Sequence, residues 1–144
     1  MIAFETDTHI ELPIERVFAY VADPLNFARW NSAVQAVVKT SAGQSGVAST
    51  YSMERDLPTG PAVNDLEIVA LEQPRAFAIR TTSGPTPFHY RFRFSAQNGG
   101  TLVQLDAEVE LKGVAAFAPR LAQHAVKKGV DDNLATLKEL LERG

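Results

Sequence analysis

The segment Phe18-Ala19-Tyr20-Val21-Ala22-Asp23-Pro24-Leu25-Asn26-Phe27-Ala28-Arg29-Trp30-Asn31 constrains this chain more than any other. It encodes a short helix, a sharp break, and a second short helix carrying the only tryptophan. Ile14, Val17, Phe18 and Val21 follow the i, i+3, i+4, i+7 rule and form one apolar stripe. Asp23 is placed to cap the second helix by accepting backbone N–H bonds. Pro24 suits its first position, where a helix leaves the N–H unpaired anyway.

Around this pair the sequence reads mainly as strand. Ile2, Phe4, Thr6, Thr8, Ile10 and Leu12 alternate with polar residues in a half-buried strand that Pro13 ends. Strands are predicted over 33–40, 47–56, 63–72 and 75–82. Leu57-Pro58-Thr59-Gly60-Pro61 and Ser83-Gly84-Pro85-Thr86-Pro87 read as loops, because proline and glycine interrupt a ladder. Phase is ambiguous in 63–72, where Leu66 and Ile68 compete with Val69 and Leu71. The clearest alternation is Phe88, Tyr90, Phe92 and Phe94 against His89, Arg91, Arg93 and Ser95. Asn98-Gly99-Gly100 turns it back into Val103, Leu105, Ala107, Val109 and Leu111, a hairpin. The outer faces of this pair carry opposite charges, positioned for cross-strand pairing.

After Gly113 the period changes, and a helix is predicted over 116–142, with Pro119 in its first turn. Ala118, Leu121, Ala122, Ala125, Val130, Leu134, Leu137 and Leu141 would make its apolar side. Strand, helix pair, several antiparallel strands and a long helix is an α+β order. No linker divides it, so residues 1–144 are expected to form a single domain.

Composition narrows the function classes. The absence of cysteine excludes thiol catalysis, thiolate metal sites and disulfides. The net charge is −3 and no cationic stripe runs along any element, which argues against a nucleic-acid partner. No apolar run approaches the ~20 residues of a membrane span, and no signal pattern opens the chain, so a cytoplasmic location is expected. His9, His89 and His124 are scattered, without metal-ligand spacing. No phosphate-binding glycine loop or nucleophile elbow is present. No metal and no cofactor are therefore expected.

Val17-Phe18 with Asp23-Pro24 and Trp30, the Gly99-Gly100-Thr101 turn and the leucine-rich final helix together resemble the START-like or SRPBCC superfamily, in its polyketide cyclase/dehydrase-type branch. The resemblance spans Ile10 to Leu141. It implies a helix-grip fold, in which a curved antiparallel sheet wraps a long C-terminal helix and leaves a cavity between them. Mapped by pattern, the ligand-binding lining would comprise Phe27, Trp30, Tyr51, Met53, Arg55, Phe77, Ile79, Tyr90, Phe92 and Leu121, with Tyr51 and Tyr90 as polar tips. Arg55 shares parity with Tyr51 and Met53. The same inward aromatics would serve equally as solid core.

The resemblance carries no catalytic residue across to this chain. Its first implication is a binding protein for a small hydrophobic molecule: aromatic, polyketide-like, or an acyl lipid. The alternatives are a cofactor-independent polyketide cyclase or dehydratase and a protein-interaction module on the same scaffold.

Overall fold

The computed structural model describes residues 1–111 and 118–144. Its strands are β1 (Ile2–Ile10), β2 (Val34–Lys39), β3 (Thr50–Leu57), β4 (Gly60–Glu72), β5 (Ala76–Ser83), β6 (Phe88–Gln97) and β7 (Gly100–Val109). The helices are α1 (Ile14–Val21), α2 (Phe27–Trp30) and α3 (Pro119–Arg143). All seven strands join one curved antiparallel sheet in the order β1-β7-β6-β5-β4-β3-β2. Apart from the passage from β1 to β2 through the two short helices, each strand pairs with its successor, so the chain meanders.

Alternation sets the faces. Phe88, Phe92 and Phe94 of β6 and Val103, Leu105, Ala107 and Val109 of β7 are buried inward. Outside, Arg91 pairs with Glu108 at 2.7 Å and Arg93 with Asp106 at 3.6 Å. The turn between these strands places Asn98 and Gly99 at φ of 49° and 78°, the left-handed pair that a two-residue hairpin requires.

Gly100 follows for a different reason. A Cβ there would stand 2.5 Å from the Ile10 carbonyl oxygen, so only glycine lets β7 approach β1 this closely. Next to it, the wholly buried Thr101 donates its hydroxyl to the Leu12 carbonyl at 2.8 Å. The Gly-Gly-Thr signature thus ties the end of β1 to the sheet just before α1 begins.

Val17, Phe18 and Val21 bury the predicted stripe of α1. Asp23 Oδ1 accepts the Leu25 N–H at 3.1 Å, and Pro24 opens the next element as expected. That element is a 3-10 turn over Pro24–Asn26 that leads into the single turn of α2, rather than one continuous helix. Its two buried aromatics, Phe27 and Trp30, are set edge to face at 5.8 Å.

Two strand expectations are corrected and one open phase is resolved. Val47 stands outside β3 and is 62% exposed, since the chain turns at Gly46–Ser49 before pairing resumes at Thr50. Leu57–Pro61 is not an open loop, because Leu57 pairs with Gly60 and Asp56 with Pro61 across a two-residue turn. Pro61 is tolerated because β5 reaches only as far as Asp65 along β4, leaving the proline nitrogen facing an unpaired edge. The ambiguous phase of β4 is resolved by a register shift between Ile68 and Ala70. Leu66 and Ile68 are inward before it, and Leu71 comes opposite the buried Phe77 after it.

Helix α3 closes the concave face through Val130, Leu134 and Leu137. Thr6 donates to Asp131, Lys138 donates to the His9 carbonyl, and Glu142 accepts the Glu11 N–H at 2.8 Å, so polar ties fasten the helix along β1. The expected start of this helix at Ala116 and the period change at Gly113 lie outside the described residues. Within them, the inward line runs through Ala122, Val126, Val130, Leu134, Leu137 and Leu141. Leu121 and Ala125 face away from the sheet, and Leu121 is 74% exposed.

Candidate functional site

Sheet and helix do not meet everywhere. A cavity of about 190 Å³ remains between α2, the segment Asn31–Val34, the inward faces of β3 and β6, and the Val126–Asn133 stretch of α3. It exists because α3 presents Val126, Gly129 and Val130 here, which are too small to reach the opposite wall. The leucines that fill the gap start only at Leu134.

One wall is aromatic. Trp30 meets Phe92 edge-on at 6.5 Å, Tyr90 meets Phe92 at 6.4 Å, and Phe88 lies 4.6 Å from Tyr90. Strand β6 therefore lays three successive inward rings along the cavity, with Trp30 against the last of them. Such ring edges and faces suit an apolar or aromatic guest. Trp30 itself is buried, and its Nε1 has no hydrogen-bond partner among the described residues.

The polar part of the wall centres on Arg55. Its Nη1 donates to Asn64 Oδ1 at 3.0 Å and to the Thr86 carbonyl at 3.3 Å, and its guanidinium lies over the Phe88 ring, 5.5 Å from the centroid. Asn64 is wholly buried and also donates to the Ser83 and Pro85 carbonyls, at 3.0 and 2.9 Å. Gly84 makes this possible: its φ is 100°, and a Cβ would stand 2.3 Å from the Val63 carbonyl. The loop after β5 is thereby drawn down until the Thr86 carbonyl reaches Arg55.

Burial lowers the Arg55 pKa, with nearby Tyr90 partly opposing the shift. Burial raises that of the Tyr90 phenol, with Arg55 opposing. At neutral pH the pair is one guanidinium beside one neutral hydroxyl.

Of the residues singled out from sequence, Phe27, Trp30, Met53, Arg55, Tyr90 and Phe92 line this cavity together. Four others lie elsewhere. Tyr51 has the inward phase, but its hydroxyl turns to Ser45 Oγ and is enclosed there. Phe77 packs behind the wall, stacked on Phe92 at 5.9 Å and 6.5 Å from Phe27. Ile79 is fully buried between its strand partners Ile68 and Tyr90. Leu121 points away.

The lining also includes Asn31, Ser32, Phe88, Val126, Val130 and Asn133, which sequence reasoning passed over. Phe88 carried the same alternation as Tyr90 and Phe92. Val130 belongs to the predicted apolar side of α3, and Val126 and Asn133 stand at i−4 and i+3 from it. Nothing local marked the Asn31–Val34 segment, which the tertiary fold brings to Asn133 through a 3.2 Å bond from the Ser32 N–H.

Residues 1–142 match the family model described as polyketide cyclase / dehydrase and lipid transport. The chain belongs to this family. Solved structures similar to this polyketide cyclase/dehydrase-family chain include a START superfamily protein from Mycobacterium smegmatis, with 16% identity and a TM-score of 0.76 over 96% of this chain and 98% of that one. The Zhui aromatase/cyclase from Streptomyces sp. R1128 gives 16% and 0.76 over 98% and 93%. The di-domain ARO/CYC BexL of the BE-7585A biosynthetic pathway gives 18% and 0.73, covering 96% of this chain and 49% of that one. At these identities the likeness shows the START, helix-grip fold alone. No curated protein matches the sequence significantly.

Proposed function

We propose that this family member binds a small hydrophobic molecule, of the size of one ring with a short chain, in the cavity between sheet and α3. The observation that carries the reading is the 190 Å³ of room against the Trp30–Phe92–Tyr90 wall. An apolar cavity of about 150 Å³ is enough to hold benzene. A whole polyketide or a long-chain lipid needs more, so the reading is narrowed to a monocyclic aromatic or a short acyl group.

Cyclase or dehydratase activity is the second reading, and it would rest on Arg55 and Tyr90. These are the titratable groups of the described lining. One is a cation and the other a neutral phenol whose pKa is raised, so neither supplies a base at neutral pH. Binding is the reading these two groups favour.

The test is titration with toluene and with 3-phenylpropan-1-ol, read by tryptophan emission and by melting temperature. Trp30 is the only indole, so its emission reports this site. Ligand at 100 times its Kd contributes about 2.7 kcal/mol of stability, a shift of several degrees in a domain this size. Saturating amounts of both probes that move neither signal would return these residues to plain core.

A further inference from the structure

Arg55 has hydrogen bonds but, among the described residues, no counter-ion. Its acceptors, Asn64 Oδ1 and the Thr86 carbonyl, are neutral and both engage Nη1. Glu54 and Asp56, its neighbours along β3, fall on the opposite face by strand alternation. Among the described residues no carboxylate pairs with it, whereas Arg80, Arg91 and Arg93 each pair with an acid on a neighbouring strand. A half-buried charge with only neutral acceptors carries a desolvation cost that they offset only in part. An anion in the cavity would remove that cost, and the planar guanidinium still has donors on Nη2 and Nε for a two-oxygen partner.

Position along β6 adds a length. Arg55 stands over Phe88, whereas Trp30 stands against Phe92. Four residues of strand separate these rings, roughly 13 Å. The cationic end and the aromatic end of the cavity are thus set apart along one strand, with Tyr90 between them.

We propose that the ligand is a monocarboxylate with an aryl-alkyl or short acyl body, its carboxylate paired with Arg55 and its apolar end on Trp30 and Phe92. The proposal rests on the ligand-binding reading above and names the class of molecule. One cation matches one negative charge. A phosphate dianion would leave one negative charge unmatched by any other cation of the lining, which argues for the carboxylate. The span favours a ring carried on two or three methylenes over benzoate.

Calorimetric titration at pH 7 with 3-phenylpropanoate and its neutral counterpart 3-phenylpropan-1-ol tests this. The acid is expected to bind the unmodified protein at least tenfold more tightly than the alcohol. Arg55→Met should abolish that preference, and Arg55→Lys should retain part of it. Equal affinity for acid and alcohol in the unmodified protein, a comparison that needs no variant, would overturn the carboxylate assignment and leave the cavity reading standing. A preference that survives in Arg55→Met would do the same. Failure of both probes and of toluene to bind would overturn both.

Discussion

Asn64 Oδ1 accepts a 3.0 Å hydrogen bond from Arg55 Nη1 while Asn64 Nδ2 holds two carbonyls of the loop after β5. A single buried amide therefore fixes both the cationic group of the cavity and the loop above it. Asn64→Leu keeps the volume but leaves the Ser83 and Pro85 carbonyls without their donor. A loss of about 2–3 kcal/mol is expected in urea denaturation. A change below 0.5 kcal/mol, as is typical of exposed positions, would show that the network does not hold the loop.

Thr101 makes a second buried link, its hydroxyl to the Leu12 carbonyl. Thr101→Val preserves shape and removes the donor, so roughly 1–2 kcal/mol of stability should be lost. Gly100→Ala should cost more, because the added methyl meets the Ile10 carbonyl oxygen at 2.5 Å as well as the His9 ring, and the backbone atom cannot swing aside. Chemical denaturation of the two variants side by side measures the order.

Gly129 sits in the interior of α3 and lines the cavity, and a Cβ there would meet nothing within 4 Å. Gly129→Ala should therefore stabilise the protein by about 0.5–1 kcal/mol through helix propensity alone. The expected readout is a melting temperature raised by a few degrees. A fall instead would mean that the helix needs glycine at this point.

Asp131 joins α3 to β1. Burial alone would raise its pKa, but hydrogen bonds from Lys127 and Thr6 outweigh this and hold it below the ordinary carboxylate value. A depressed folded-state pKa stabilises above the unfolded value, about 3.9, and the contribution is lost as pH falls through the folded pKa. The protein should thus melt higher than its Asp131→Asn variant at pH 7, with the difference shrinking below about pH 4. The carboxylate is partly exposed, so the difference should also be modest and reduced by salt. A gap that is independent of pH would point to packing instead of charge.

Local pattern made most of the fold legible. Strand alternation in β6 and β7 and the Asn98-Gly99 turn depend on residues within a few positions of each other, and so did the Asp23-Pro24 break. The α3 face was less legible. Leu121 and Ala125 share helical spacing with one stripe, and Ala122, Val126 and Val130 with another. An alanine-rich first half lets either be apolar. Only the position of the sheet selects the second. The β4 phase is open for a similar reason, since the register shift at Val69 lets Leu66 and Ile68 turn inward before it and Leu71 pack on the core after it.

The site divides along the same line. The sequence by itself determined which strand residues point inward, and with them Met53, Arg55, Tyr90 and Phe92, because side-chain direction in a strand alternates with a period of two. Tertiary structure alone decided which inward residues face open space. Phe77 and Ile79 point inward too, yet their neighbours close over them. Tyr51 spends its hydroxyl on Ser45 instead of the cavity. The room is enclosed by segments about 95 residues apart, from Asn31–Val34 to Val126–Asn133, and no local pattern records a distance between them. A cavity is the volume that packing leaves unfilled, so it depends on the relative placement of distant elements.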